Sequence, residues 1–193
     1  PDGWIRQPLW RWVAGRADAL VAVSQPLAQW VRHARLPCPT TPDGRPCWVI
    51  PPPLVRSGMA SITPRRARRI LGLPDFGPVV GTVARLSEEK GIDVLLRAVA
   101  LLHRWGYPVV CLVMGDGPQR QSLRRLADRL GISPWVCWAG HLEAPSRLLR
   151  AIDIYVQPSR RETFGMAVAE AMAAGRPVVA ARTGGLVELV TDG

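Results

Sequence analysis

Residues 78–114 read PVVGTVARLSEEKGIDVLLRAVALLHRWGYPVVCLVM, two short apolar runs separated by an amphipathic stretch. The runs are Val-rich and strand-sized, while the Leu, Val and Ala residues between them recur at helical spacing, which predicts a βαβ unit with parallel strands. The pattern then repeats toward the C-terminus. It predicts strands over 79–84, 109–114, 135–138, 153–157 and 177–181. Helices are expected over about 91–105, 117–130, 144–151 and 165–175, with a last one starting near Gly185 and running out of sequence. Alternation of this kind folds through right-handed crossovers, so the expected class is α/β, a Rossmann-like doubly wound parallel sheet.

Upstream the texture changes. Ala19-Leu-Val-Ala-Val23 reads as a strand and Pro26 to Ala34 as a helix, one βα unit and too little for a domain. Pro37 to Cys47 reads as a loop and Trp48-Val-Ile50 as a short strand. Pro51-Pro-Pro53, without amide donors, reads as a stiff connector. A boundary is therefore expected near residues 51–60, with 1–55 the end of one domain plus a linker and 56–193 a second domain. Thr191-Asp-Gly193 reads as a turn leading toward a further strand, so an edge of the sheet is expected to be missing.

At 193 residues and 48% hydrophobic content the chain can build a packed core, which excludes a disordered segment. No stretch reaches the roughly 18 apolar residues of a membrane span, and Pro1-Asp-Gly-Trp4 lacks the features of a secretory leader. A cytoplasmic protein is the expectation. Cys38, Cys47, Cys111 and Cys137 form no Cys-x-x-Cys pair and read as free thiols, with no metal site expected.

The net charge of +10 is spread along the chain. Its densest cluster, Pro64-Arg-Arg-Ala-Arg-Arg69, opens a short helix and reads as a solvated face, with no interleaved aromatics for nucleic acid. The alternative for this cluster is weak peripheral attraction to an acidic membrane surface. Five of the eight Trp precede residue 50, at positions 4, 10, 12, 30 and 48, and are expected in a core or domain contact.

In open α/β sheets ligands bind at the carboxyl ends of the strands, so the loops following strands carry the chemistry. After the first strand of the second domain, Arg85 and Lys90 stand on a loop entering a helix. Two cations beside helix N–H groups suit a diphosphate. Lys90 is the only lysine among 25 basic residues, which suggests that a compact point charge is wanted there. Gly115 and Gly117, in Met114-Gly-Asp-Gly-Pro118, permit a tight turn and close approach of a ligand.

The strongest signal is Ser159-Arg-Arg-Glu-Thr-Phe-Gly-Met-Ala-Val-Ala-Glu-Ala-Met-Ala-Ala-Gly-Arg-Pro177. Glu162 is placed at a loop tip and Glu170 inside an apolar helix beginning near Phe164 or Gly165. The N–H groups after Gly165 face any anion bound there. A packed Glu170 needs donors, from a salt bridge or from the vicinal hydroxyls of a ribose. Glu162 can accept from sugar hydroxyls or serve as a cap-region acid. Thr183-Gly-Gly-Leu-Val-Glu188 points another Gly-rich turn at the same rim, and His141 follows the third strand. His33 and His103 read as helix-surface or packing residues.

In order, ARLSEEKG, GDGP, ETFGMAVAEAMAAGRPVVA and TGGLVELVTDG resemble the donor domain of family 4 (group 1) glycosyltransferases. These have two Rossmann-like domains facing across a cleft, the GT-B fold. ADALVAVSQPLAQWV resembles the end of the family's acceptor domain, and WVIPPPLV its linker. Pro52-Pro53 stands where the family usually has Asn-Gly, and Ala84 where it often has Gly.

The resemblance implies transfer from a nucleotide-diphosphate sugar, UDP- or GDP-linked, to an unknown acceptor, with anomeric retention and without a divalent metal or other cofactor. It implies that Arg85 and Lys90 hold the diphosphate. Glu162 and the backbone of Phe164, Gly165, Met166 and Ala167 would contact the sugar, and Glu170 the ribose. With most of the acceptor half absent, the chain alone is expected to be inactive. A 2-epimerase or a phosphorylase of the same fold and a non-catalytic nucleotide-sugar-binding domain are the competing expectations; a phosphorylase would need a lysine for its cofactor, and Lys90 is already committed to phosphate.

Overall fold

The computed structural model describes residues 12–33, 47–54 and 62–192. The chain divides into two compact units, Pro1–Pro53 and Leu54–Gly193. In the first, β1 (Leu20–Ala22) pairs in parallel with β2 (Cys47–Val49). Between them runs α1 (Gln25–His33), where Ser24 accepts the Leu27 amide at 3.4 Å and Pro26 sits just inside the first turn. Trp12 and Trp48 are 56% and 59% exposed, so of the core or domain-contact places expected for them the core one does not hold. The Arg16 guanidinium covers the Trp12 ring at 3.9 Å. Trp4, Trp10, Cys38 and most of the loop from Pro37 lie outside the described residues.

The second unit opens with α2 (Pro64–Ile70), capped by Thr63, whose hydroxyl accepts the Arg66 amide at 3.3 Å. Five strands follow: β3 (Val79–Val83), β4 (Val110–Met114), β5 (Val136–Gly140), β6 (Ile154–Gln157) and β7 (Val178–Ala180). All pair in parallel, in the order β5-β4-β3-β6-β7. The helices are α3 (Ile92–Arg104), α4 (Arg120–Arg129), α5 (Met166–Ala173) and α6 (Leu186–Leu189). Alternate residues of β4 serve two cores: Cys111 and Val113 join Leu96, Val99 and Ala127 on one face. Leu112 and Met114 join Leu149, Ile152, Tyr155 and Val168 on the other. A sheet covered on both faces needs such doubly apolar strands. Cys111 and Cys137 are free thiols, and burial pushes the Cys111 thiol up to about 12. No helix among the described residues is long and apolar enough to cross a membrane.

Three expectations are corrected. The segment expected as a helix over 144–151 is a 3-10 turn, Pro145–Ala151, because a short link between β5 and β6 must bury the adjacent Leu148 and Leu149 together. The last helix stops at Leu189, where Val190 is already extended ahead of Thr191 and Asp192, all poor helix formers. The basic cluster is not a uniformly solvated face. Arg65, Arg66 and Arg69 are exposed, but Arg68 is buried.

Arg68 donates to the carbonyls of Ala151 and Gly77, each at 3.2 Å, and to Asp153 at 2.6 Å. Asp153 accepts the Val79 amide at 2.8 Å, so the pair fastens α2 to the starts of β3 and β6. We expect Arg68→Ala to lower unfolding free energy by about 2 kcal/mol, since it strands several acceptors, and Arg69→Ala to leave it unchanged. Urea denaturation of the two variants checks the contrast.

Candidate functional site

The chain leaves β3 toward β4 and β5, then crosses back to β6 and β7 on the other side, so the connection order reverses between β3 and β6. A crevice forms at the carboxyl ends of strands where such a reversal occurs. Both suspect loops emerge there, residues 84–91 after β3 and 158–165 after β6.

The two loops are laced together. The Arg160 and Arg161 amides donate to the Glu89 carbonyl at 2.7 and 3.2 Å. The Arg160 guanidinium grips both Asp93 oxygens at 2.8 and 2.7 Å and the Glu88 carbonyl at 2.8 Å. These bonds from Arg160 hold the Asp93 carboxyl below its ordinary range, as the Ser87 hydroxyl does for Glu89. The Glu88–Lys90 turn is thus fixed at both ends, which sets where Lys90 can reach.

Lys90 Nζ donates to Glu162 Oε2 at 2.8 Å, with the side chains 23% and 9% exposed. The Ser159 hydroxyl donates to the same oxygen at 3.3 Å. Glu162 is therefore not at an exposed loop tip, and cations and carboxylates from distant loops meet in one place. Glu162 Oε1 has no partner among the described residues. The Lys90 ammonium keeps two further N–H groups.

Beside this pair the chain enters α5. The amides of Phe164, Gly165, Met166 and Ala167 find no acceptor among the described residues, while those of Val168 and Ala169 bond the Gly165 carbonyl at 2.9 and 3.1 Å. Unengaged N–H groups at a helix start form an anion site. One turn on, Glu170 is half-buried and makes no hydrogen bond or ion pair among the described residues, so the salt-bridge alternative fails for it. Burial pushes its carboxyl up.

Other expected residues sit differently. A Cβ on Gly115 would lie 1.9 Å from the Ala84 carbonyl oxygen, and one on Gly117 2.6 Å from that of Leu86. The close approach at Gly-Asp-Gly is therefore made by the loop after β3, and the Leu86 amide bonds the Asp116 carbonyl at 2.9 Å. This packing also delays α4 to Arg120, three residues past the expected start. A Cβ on Gly184 would meet the Glu162 carbonyl oxygen at 1.7 Å, so the Thr183-Gly-Gly turn presses on the backbone of Glu162. Arg85 and His141 are exposed, with side chains unpaired among the described residues. His103 is a packing residue, 2.8 Å from the Val109 carbonyl and tilted against Trp135.

Sequence reasoning missed Asp93, Gln157, Ser159 and Arg160 as parts of the site. The only available signal was their place beside Lys90 and Glu162, because the Arg160–Asp93 pair spans 67 residues.

Residues 65–193 match the family described as Glycosyl transferases group 1. The chain is 35% identical over 196 residues to D-inositol 3-phosphate glycosyltransferase of Acidothermus cellulolyticus, covering 95% of this chain and 44% of the relative. It is 37% identical over 139 residues to 2-deoxystreptamine glucosyltransferase of Streptomyces kanamyceticus, covering 70% and 36%. Anabaena HepE, crystallised with UDP-glucose, superimposes with a TM-score of 0.75 at 28% identity, covering 93% of this chain and 49% of that one. The chain thus spans less than half the length of these relatives. A doubly wound sheet with its laced crevice at the β3/β6 reversal and a family match over residues 65–193 lead to one conclusion: the chain belongs to the group 1 glycosyltransferases, with the Rossmann-like architecture of a GT-B half.

Proposed function

We propose that the second unit binds the nucleotide-sugar donor of a retaining glycosyltransferase. The observation that carries this is the convergence of the Lys90–Glu162 pair with four unengaged amides and an unpaired Glu170 at one strand rim. Nucleotide-sugar use itself rests on family membership, and the UDP-glucose of the HepE crystal supports a UDP-sugar here. Lys90, Arg85 and the amides at the start of α5 hold the diphosphate, and they neutralise it as it departs, so no divalent metal is needed. Glu162 Oε1 and the backbone at Phe164 to Ala167 contact the sugar. Glu170 takes the ribose, and His141 lies toward the nucleotide end. Retention follows the family pattern.

The acceptor stays open, because the two relatives named act on different ones, inositol 3-phosphate and 2-deoxystreptamine. Acceptor binding belongs to the partner half of the cleft. The 193-residue chain alone therefore binds donor without transferring sugar.

Titration calorimetry with UDP, GDP and ADP tests the assignment. One nucleotide should bind, and Lys90→Ala and Glu170→Ala should each weaken it about tenfold or more, the value of a lost bond to a charged group. Nucleotide binding unaffected by both substitutions overturns the proposal.

Glu170 adds a pH signature. Its carboxyl is raised above the ordinary 4.5 by burial, so the folded chain holds that proton more tightly than the unfolded one. Its contribution to stability is therefore greatest below that ordinary value and falls as pH rises through the raised one. Ribose hydroxyls favour the ionised form, so nucleotide affinity should climb over the same window. Glu170→Gln should stabilise the empty chain at neutral pH and flatten the affinity profile. Urea denaturation and calorimetry between about pH 5 and pH 8 read both effects.

A further inference from the structure

A line of buried polar side chains runs from the sheet to Glu162. Tyr155, Gln157 and Ser159 alternate on β6 and its exit, at 0%, 2% and 1% exposure, so all three point into the protein from the same face. The Tyr155 hydroxyl has Gln157 Oε1 at 2.7 Å and the Val83 carbonyl at 3.2 Å, and the shorter contact takes its single proton. Its oxygen accepts the Val83 amide at 3.3 Å. Gln157 Nε2 donates to Ser159 Oγ at 2.8 Å, and Ser159 donates to Glu162 Oε2 at 3.3 Å.

Every link has the same polarity. The backbone N–H of β3 donates to Tyr155, Tyr155 to Gln157, Gln157 to Ser159, and Ser159 to the carboxylate. Gln157 cannot be replaced by a symmetric group without breaking the sequence, because one end of its amide must accept and the other donate. Aligned donors in a low-dielectric setting reinforce one another. Burial also pushes the Tyr155 hydroxyl up, so it stays a donor at neutral pH. A core of this size could have used apolar residues at positions 155, 157 and 159. The chain instead ends on the oxygen that Lys90 holds, and it leaves Oε1 unoccupied.

We propose that Tyr155, Gln157 and Ser159 form a positioning relay that fixes Glu162 on Lys90 through Oε2 and thereby presents Oε1 to the donor's sugar hydroxyls. The sugar contact rests on the donor-site assignment above; the orientation of Glu162 does not. The three residues touch no substrate. They act through Glu162.

The test uses the whole 193-residue chain with Ser159→Ala, Gln157→Met, Ser159→Thr and Glu162→Gln. Because Lys90 is the only lysine, isotope-labelled lysine gives a single ammonium resonance that reports its bond to Glu162. In the unliganded chain, Ser159→Ala and Gln157→Met should speed ammonium proton exchange severalfold, although neither residue touches Lys90, and Ser159→Thr should restore it. Calorimetry then compares UDP-glucose with UDP. The ratio of the two affinities should shift by about tenfold in Ser159→Ala and Gln157→Met, as in Glu162→Gln, while UDP alone changes by less than about twofold. The Ser159→Ala/Glu162→Gln double variant should be no worse than Glu162→Gln.

An unchanged Lys90 resonance in folded Ser159→Ala and Gln157→Met overturns the relay, as does an equal loss of UDP and UDP-glucose. If the wild-type chain binds neither nucleotide, the donor-site assignment fails and the relay stands or falls on the Lys90 resonance. Should Gln157→Met not fold, Tyr155→Phe breaks the same line one link earlier.

Discussion

Lys90 and Glu162 are 72 residues apart in the chain, yet their side chains meet at 2.8 Å. Only one constraint brings them together, the reversal of strand order between β3 and β6. Because those strands are neighbours and parallel, their carboxyl ends open on the same rim, and the loops leaving them must pack on each other. The rest of the site is a consequence. Arg160 locks the Glu88–Lys90 turn, Gly117 admits the neighbouring loop, and Gly184 presses a third loop onto the Glu162 backbone.

The sheet was legible in the sequence because a strand covered on both faces is a short apolar run, and the three α-helices between runs carry their own period. The 3-10 turn at Pro145–Ala151 was not legible: seven residues hold too few turns to separate one helical period from another. The buried Arg68 was hidden for a different reason. Its partners, Ala151 and Asp153, are more than 80 residues downstream, and nothing in an arginine's neighbours says which one of four will find them. Within the candidate site, residue type and loop position drew attention to Lys90, Glu162 and Glu170, and the structure brings the first two together. The lacing and the line from Tyr155 to Ser159 needed coordinates, since a tyrosine and a glutamine on a strand look like ordinary strand residues until their hydroxyl and amide are seen to touch.

Glu170 stands in tension with the packing around it. Its helix is mostly apolar, and the fold gives the carboxylate no donor among the described residues, so burial disfavours its ionised form in the empty chain. A structural carboxylate would have been paired or replaced. Keeping it unpaired costs stability when the site is empty, which accords with the ligand role proposed for it, since unsatisfied groups in a fold tend to collect at functional sites.

The same logic explains why a chain with 24 arginines has a lysine at position 90. A guanidinium facing Glu162 would favour the planar fork, engaging both carboxylate oxygens in parallel bonds. That would occupy Oε1, the oxygen the relay leaves open, and would hold the cation flat against the protein. An ammonium satisfies Oε2 with one N–H and directs the other two elsewhere. If Lys90 holds the donor diphosphate as proposed, position 90 needs a cation that can serve a carboxylate and a phosphate at once without choosing a plane, and among the charged side chains only lysine has that geometry.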